Sequence, residues 1–215
     1  SRRCLARVNR SRWSSASDVY KKQKRSFYLK SSDGISIQLF ARTSTSLLVA
    51  GVGLIDDLVG WKKGLLSKRS RIILVMLSAI PLMIINAGES TMLGMDFGIL
   101  FPLVIIPLGV VGATTTFNFL AGFNGLEARQ VRILLSAIGI GTYLTCNSWL
   151  TVGALCLVSS LLAFYIFNAN PAKVFPGDTL TYAIGASFAC IAILGNVEKI
   201  AIFFFIPYLL ETILK

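Results

Sequence analysis

Seven apolar stretches, each long enough or nearly long enough to cross a membrane as a helix, dominate the sequence from residue 36 onwards. Since 54% of the 215 residues are hydrophobic and only 14% are charged, one soluble core could not hide this much apolar surface, and lipid is the natural solvent. We therefore predict an all-α, polytopic integral membrane helical bundle with about seven transmembrane helices. The stretches cover residues 36–56, 72–87, 98–118, 131–147, 149–167, 180–195 and 199–214.

The basic residues between these stretches fall almost entirely on one side. The odd-numbered connections and the C-terminal end hold nine Lys or Arg residues, whereas the even-numbered connections hold only Lys199. Short loops rich in Lys and Arg remain in the cytoplasm. We therefore predict a multi-pass protein whose odd-numbered connections are cytoplasmic. The nine residues are Lys62, Lys63, Lys68, Arg69, Arg71, Arg129, Arg132, Lys173 and Lys215.

The first 34 residues do not fit this orientation. Ten of the 21 basic residues lie between Arg2 and Lys30, on what would be the outer side. Three explanations stay open: spanning helices precede the segment, the segment is foreign to the rest, or it folds back as a surface arm. We predict that residues 1–34 are a basic, poorly ordered or non-native segment and that residues 35–215 are the membrane-embedded core of a truncated chain. Because the excess charge is local, we expect no nucleic-acid partner.

Residue types restrict the chemistry. The sequence has no histidine, which excludes Ser/His and Cys/His nucleophilic schemes and histidine-ligated metals. Its four cysteines are far apart and form no CxxC pair, so we predict neither a disulfide framework nor a zinc site. Any reaction must therefore use carboxylates, amides and cations.

Carboxylates and amides are concentrated in three segments on the predicted cytoplasmic side. Oxygen ligands without His or Cys suit a hard cation, and Mg²⁺ is commonly held by one or two carboxylates together with substrate phosphates. We predict a site for Mg²⁺, with Mn²⁺ as an alternative ion, and a diphosphate; the basic residues of 62–71 are placed to hold a lipid phosphate. The oxygen-bearing residues are Asp56 and Asp57 after the first stretch, Asn118, Asn124 and Glu127 after the third, and Asp178 before the sixth.

Each of these segments, taken alone, also has a purely structural interpretation. An Asp-Asp pair can be a solvated helix end, Asn124 before a glycine can be a turn residue, and Asp178 can cap a helix. The basic residues of 62–71 are also explained as determinants of topology. A transporter would require polar residues at mid-membrane depth on several helices. Here they gather at one face, which favours a catalytic site.

Three motifs resemble those of the polyprenyl-phosphate N-acetylhexosamine 1-phosphate transferases, glycosyltransferase family 4. The residues of these motifs are closer to those of the dolichyl-phosphate GlcNAc-1-phosphate transferases of archaea and eukaryotes than to those of the bacterial muramoyl-pentapeptide enzymes. The likeness covers about residues 36–215. The motifs are Gly53-Leu-Ile-Asp-Asp-Leu-Val-Gly60, Asn118-Phe-Leu-Ala-Gly-Phe-Asn-Gly-Leu-Glu-Ala128 and Pro171-Ala-Lys-Val-Phe-Pro-Gly-Asp-Thr179.

The resemblance implies an activity. It is the Mg²⁺-dependent transfer of GlcNAc 1-phosphate from UDP-GlcNAc to a polyprenyl phosphate at the cytoplasmic face, with release of UMP. The implied partners are the UDP-sugar, the lipid phosphate, the bilayer and a second copy of the chain. The family's amino-terminal helices and late cytoplasmic loop have no counterpart in the sequence, so an inactive fragment or a non-catalytic membrane subunit stays open as an alternative.

The resemblance also implies roles for the residues of the second and third motifs. Asp178 and Asn118 match the residues that bind Mg²⁺ together with the nucleotide diphosphate. Asn124 and Phe175 match the pair that recognises uracil, and Glu127 belongs to the same substrate-binding motif.

The first motif implies the remaining catalytic groups. Asp56 and Asp57 match an essential aspartate pair that acts on the acceptor phosphate or assists the metal. Either Lys68 or Arg71 matches the basic residue that usually follows the pair. Thr115 is a departure, because the family often has an asparagine at this position.

Overall fold

In the computed structural model, the described part of the chain is almost entirely helical. The structure describes residues 10–60, 67–86, 91–92, 95–119, 126–170 and 172–214. The chain divides into two compact units, Ser1–Ile37 and Gln38–Lys215, and the second contains the helical bundle. The elements are α1 (Arg10–Gly60), α2 (Lys68–Ser78), α3 (Ile80–Ile85), β1 (Thr91–Met92), β2 (Met95–Asp96), a π-helical turn (Phe101–Ile105), α4 (Ile106–Phe119), α5 (Leu126–Leu144), α6 (Ser148–Asn168), α7 (Asp178–Leu194) and α8 (Glu198–Leu214).

Helices cover the predicted apolar stretches, because a chain in lipid must satisfy its own backbone hydrogen bonds. Among the described residues, three helical segments are long and apolar enough to cross a membrane: Gly34–Val59, Phe101–Phe119 and Ser148–Asn168. The helix Asp178–Leu194 is apolar but shorter. The helical fold is thus confirmed, whereas a total of seven transmembrane helices stays a prediction, as does the boundary between residues 34 and 35.

The second apolar stretch differs from the single helix expected over residues 72–87. Helix α2 ends at Ser78 and α3 begins at Ile80, with Pro81 in the first turn of α3. Proline has no N–H and its ring collides with the carbonyl four residues earlier, so a continuous helix is interrupted here. After α3, the short strands β1 and β2 pair in antiparallel fashion, which the all-α prediction did not include.

The interior of the bundle is held by pairs of neighbouring helices. Helix α4 packs against α7, α5 packs against α6, and α8 contacts both α4 and α5. Near the end of α4, the ring of Phe117 packs edge-on against Phe188, Phe205 and Tyr208, with centroid distances of 5.7, 5.6 and 5.4 Å. Aromatic contacts of this kind stabilise beyond their buried area. They fix the end of α4, where Asn118 lies, against α7 and α8.

Helices α4 and α7 approach each other closely at Gly185. A Cβ atom at this position would lie 2.7 Å from the Cα of Thr114 and 3.1 Å from the carbonyl carbon of Ala113. These are backbone atoms of a packed helix, so they cannot move aside as the end of a flexible side chain would. Glycine is therefore required for the observed packing.

We expect Gly185→Ala to lower the free energy of unfolding by about 1–3 kcal/mol, because the methyl group overpacks this contact. The matched control is Gly112→Ala on α4, where an added Cβ meets nothing within 4 Å. This control should be neutral or stabilising by up to about 1 kcal/mol, because Ala favours the helix. Thermal unfolding of the purified protein in detergent measures both, and equal melting temperatures would contradict the α4–α7 packing.

Candidate active site

The last turns of α1 and α4 and the first turns of α2 and α7 meet at one end of the bundle. A cavity of about 500 Å³ lies between α2, α4 and α7. The structure therefore brings residues from all three sequence motifs, or from directly beside them, to one place. The described residues that line the cavity are Lys68, Arg71, Ile72, Val111, Thr115, Asn118, Phe119, Asp178 and Tyr182.

Asp56 is a buried carboxylate at the edge of this cavity. Its side chain is 1% exposed, and Nη1 of Arg71 lies 2.9 Å from its Oδ2. The same Nη1 lies 3.9 Å from Oδ2 of Asp178. Because a buried carboxylate is costly unless its charge is balanced, Arg71 or a bound cation must balance Asp56.

Asp178 begins α7 beside Asp56. Burial raises the pKa of Asp178 to about 6, and the hydrogen bond to Asp56 together with the charges of Asp56 and Asp57 contributes to the rise, while Arg71 opposes it. Two carboxyl groups in contact cannot both ionise freely unless a cation is near them. Asp56 and Asp178 thus form a pair that holds either a proton or a positive ion.

Asp57 has a different position: its carboxylate caps the N-terminus of α7. Its Oδ1 accepts a hydrogen bond of 2.9 Å from the backbone N–H of Asp178. Its Oδ2 accepts hydrogen bonds of 2.9 Å from the N–H and 2.6 Å from the hydroxyl of Thr179. The free amides at the start of a helix favour such a negative group. Asp57 therefore positions the first residue of α7, which is Asp178.

Two motif glycines allow α1 to approach α7 this closely. A Cβ on Gly53 would lie 2.6 Å from the carbonyl oxygen of Asp178, and a Cβ on Gly177 would lie 2.7 Å from Oδ2 of Asp57. No role was predicted for Gly53 or Thr179 from the sequence. The spacing of four residues between Gly53 and Asp57 could have indicated that they contact the same neighbouring helix, because it places both on one face of α1.

The second motif is represented in the cavity by Asn118. This residue is half-buried and lines the same cavity as Asp178. Thr115, one turn earlier, also lines it, and its hydroxyl donates to the carbonyl oxygen of Val111 at 2.7 Å. Asn124 and the side chain of Glu127 lie outside the described residues, so their roles stay predictions.

Of two other predicted residues, Lys68 lines the cavity and Phe175 does not. Lys68 is exposed and lines the cavity from the first turn of α2. Phe175 is 59% exposed and is not among the described residues that line the cavity. Its predicted contact with uracil therefore requires a nucleotide that extends beyond the cavity towards the loop before α7.

The donor set fits a hard divalent cation. Asp56 and Asp178 offer carboxylate oxygens, and Asn118 offers an amide oxygen on the same cavity. Mg²⁺ in proteins usually takes one or two carboxylates and completes its octahedron with water and phosphate oxygens. The described residues contain no group of three or more Asp, Glu, Cys or His side chains able to hold a metal alone.

Comparison with known proteins agrees with the motifs. The family model "Glycosyl transferase family 4" matches residues 39–196. A protein of Saccharolobus solfataricus, provisionally named a UDP-N-acetylglucosamine–dolichyl-phosphate N-acetylglucosaminephosphotransferase, is 37% identical over 178 residues, 80% of this chain and 54% of the relative. A protein of Sulfolobus acidocaldarius with the same provisional name is 33% identical over 192 residues, 86% of this chain and 57% of the relative. The Dictyostelium discoideum protein of that name is 29% identical over 180 residues, which are 66% of this chain and 44% of the relative.

The chain spans about half the length of the curated relatives that it matches. The matched region nevertheless includes Asp56, Arg71, Asn118 and Asp178, which meet at the cavity. The match also extends over well more than half of the chain. On these grounds the chain belongs to glycosyl transferase family 4.

Proposed function

We propose that the protein transfers N-acetylglucosamine 1-phosphate from UDP-GlcNAc to a polyprenyl phosphate of the dolichyl type, and that the reaction requires Mg²⁺. The observation that carries this proposal is the contact of Arg71 with both Asp56 and Asp178 at a cavity where apolar helices end. Carboxylates and cations side by side suit a ligand made of phosphates and a metal ion. The names of the relatives supply the donor and the acceptor.

The proposed reaction needs little covalent participation by the protein. An oxygen of the acceptor phosphate forms a bond to the β-phosphorus of UDP-GlcNAc, the bond from that phosphorus to the bridging oxygen breaks, and UMP leaves with the electron pair. Bound Mg²⁺ supplies charge neutralisation on the diphosphate. Asp178 and Asn118 would hold the ion, and Lys68 and Arg71 would hold the acceptor phosphate. Positioning and charge are therefore the main contributions of the chain.

An apolar groove offers a place for the prenyl chain. It has a volume of about 250 Å³ and lies between α4, α7 and α8, where Gly109, Gly112, Ala189 and Phe205 form part of its wall. Helices α4 and α7 line both this groove and the cavity. We assign the hydrocarbon chain of the acceptor to this groove, because its lining is almost entirely apolar.

We place the cavity at the cytoplasmic face. Arg71 lines the cavity, and Arg129 and Arg132 begin α5, which follows the end of α4 that the cavity contains. Lys199 begins α8, after the opposite end of α7. This distribution supports the assignment, since basic residues near helix ends prefer the cytoplasm.

The proposal is tested by UMP release from proteoliposomes that contain the protein. We expect UMP only when UDP-GlcNAc, dolichyl phosphate and Mg²⁺ are all present, and none after EDTA. UDP-glucose and UDP-galactose serve as alternative donors, and mass spectrometry of the lipid product identifies the transferred sugar. Release of UMP without Mg²⁺ would contradict the metal assignment. No UMP from any donor would favour a non-catalytic membrane subunit.

A further inference from the structure

The surface between α5 and α6 combines apolar walls with two arginines at one end. This open groove has a volume of about 640 Å³. Ile133, Ile140 and Leu162 on its wall are 64%, 62% and 49% exposed. Its lining shares no residue with the catalytic cavity. The groove is therefore a separate surface, and the active site does not explain its charge.

The two arginines are held in place by one tyrosine. Nε of Arg129 donates a hydrogen bond of 2.7 Å to the hydroxyl of Tyr165. The guanidinium carbons of Arg129 and Arg132 lie 5.3 and 4.4 Å from the centre of the Tyr165 ring, within the range of cation–π attraction. Nε of Arg132 donates to the carbonyl oxygen of Ala128 at 3.0 Å. Both guanidinium groups are thus oriented before any ligand arrives.

The positive charge of this pair is not balanced by a carboxylate in the described part of the chain. The ion pairs found there join Arg71 to Asp56 and Asp178. Within the described residues, the hydrogen bonds of Arg129 and Arg132 use Nε, and no hydrogen bond from their terminal nitrogens is found there. Two neighbouring guanidinium groups can donate hydrogen bonds to the oxygens of one phosphate.

The dimensions of the groove match one leaflet of a bilayer. From Arg129 to Ile140, α5 rises by about 16 Å, close to half of a hydrocarbon core of about 30 Å. Tyr165 lies in the last turn of α6, whose range Ser148–Asn168 is long and apolar enough to span a membrane. The arginines therefore lie near the membrane boundary, and the apolar wall extends from them towards the bilayer centre.

We infer that this groove binds an anionic phospholipid. Arg129 and Arg132 hold its phosphate, and Ile133, Ile140 and Leu162 contact one of its hydrocarbon chains. A zwitterionic phospholipid has the same phosphate but adds a cationic group beside two arginines, so it binds less well. The ligand is thus a structural lipid of the surrounding membrane, distinct from the acceptor substrate in the cavity.

Native mass spectrometry of the purified protein with phosphatidylglycerol or phosphatidylcholine tests the inference. The wild-type protein should retain phosphatidylglycerol preferentially. The double variant Arg129→Gln/Arg132→Gln should lose about tenfold in phosphatidylglycerol binding and little in phosphatidylcholine binding. The matched control, Lys173→Gln/Lys199→Gln, removes two exposed positive charges elsewhere and should bind like wild type. An equal loss in both double variants would show diffuse charge attraction and would overturn the proposed site.

A second variant tests the apolar wall separately. Ala137→Phe keeps both arginines but fills the groove, so phosphatidylglycerol binding should fall while the melting temperature without lipid stays near that of wild type. Undiminished binding would show that the groove holds no hydrocarbon chain. Excess dolichyl phosphate should not displace phosphatidylglycerol. If it does, the groove belongs to the acceptor and the inference is wrong.

Discussion

Asp178→Asn should reduce UMP release by at least about a thousandfold, because it removes a carboxylate proposed to hold Mg²⁺ while keeping the shape of the side chain. Arg71 would then face Asp56 and an uncharged amide, so the cavity would lose part of its affinity for a cation. The measurement is the initial rate at saturating UDP-GlcNAc and dolichyl phosphate. Lys173→Gln, an exposed change five residues earlier, should keep the wild-type rate and serves as the control.

A thermal-unfolding experiment separates loss of folding from loss of metal binding in Asp178→Asn. The folded-state pKa of Asp178, about 6, is above the ordinary value of 3.8, so ionisation above pH 6 disfavours the folded state when no divalent ion is bound. In EDTA near neutral pH, Asp178→Asn should therefore melt at the same or a slightly higher temperature than wild type. The difference in melting temperature between the variant and wild type should vanish below pH 3.8, because Asp178 is then protonated in both the folded and the unfolded state.

Manganese binding gives a readout that does not depend on turnover. Electron paramagnetic resonance of added Mn²⁺ should show weaker binding to Asp178→Asn than to wild type. Normal UMP release together with undiminished Mn²⁺ binding would refute the role of Asp178 as a ligand.

The second large effect is expected for Asp57→Ala, which should lower stability and activity together. The variant loses the three hydrogen bonds that cap α7, and loss of a helix cap costs about 1–2 kcal/mol. Asp178 is the first residue of that helix, and a displacement of about 1 Å at a reacting site can cost about a hundredfold in rate. Thermal unfolding and UMP release on the same preparations measure the two effects.

Milder variants separate capping from direct participation of Asp57. Asp57→Asn keeps one acceptor oxygen and should retain part of both stability and activity. Thr179→Val removes only the hydroxyl hydrogen bond and should have the smallest effect. If Asp57→Asn melts like wild type yet is as inactive as Asp57→Ala, the carboxylate itself takes part in the reaction and the capping account is insufficient.

The helices could be predicted well from the sequence because their cause is local. Apolar stretches in lipid must form helices, and the stretches of 149–167 and 180–195 correspond closely to α6 and α7. The interruption at Pro81 was equally local and was missed because apolar character continues through the proline. The number of spans is harder to predict, since length and hydropathy alone support three of the described helices.

The lengths of the apolar stretches and the distribution of basic residues were enough, by themselves, to predict a helical membrane protein with carboxylates and amides gathered on one side of the membrane. Only the tertiary structure decided which role each carboxylate has. Asp57 reaches the amide of Asp178 across 121 residues of sequence, and Asp56 instead faces Arg71 at 2.9 Å. Asp56 and Asp57 point in different directions because they are adjacent on a helix. The contact that Gly53 permits between α1 and α7 decides which of the two caps α7 and which lies at the cavity.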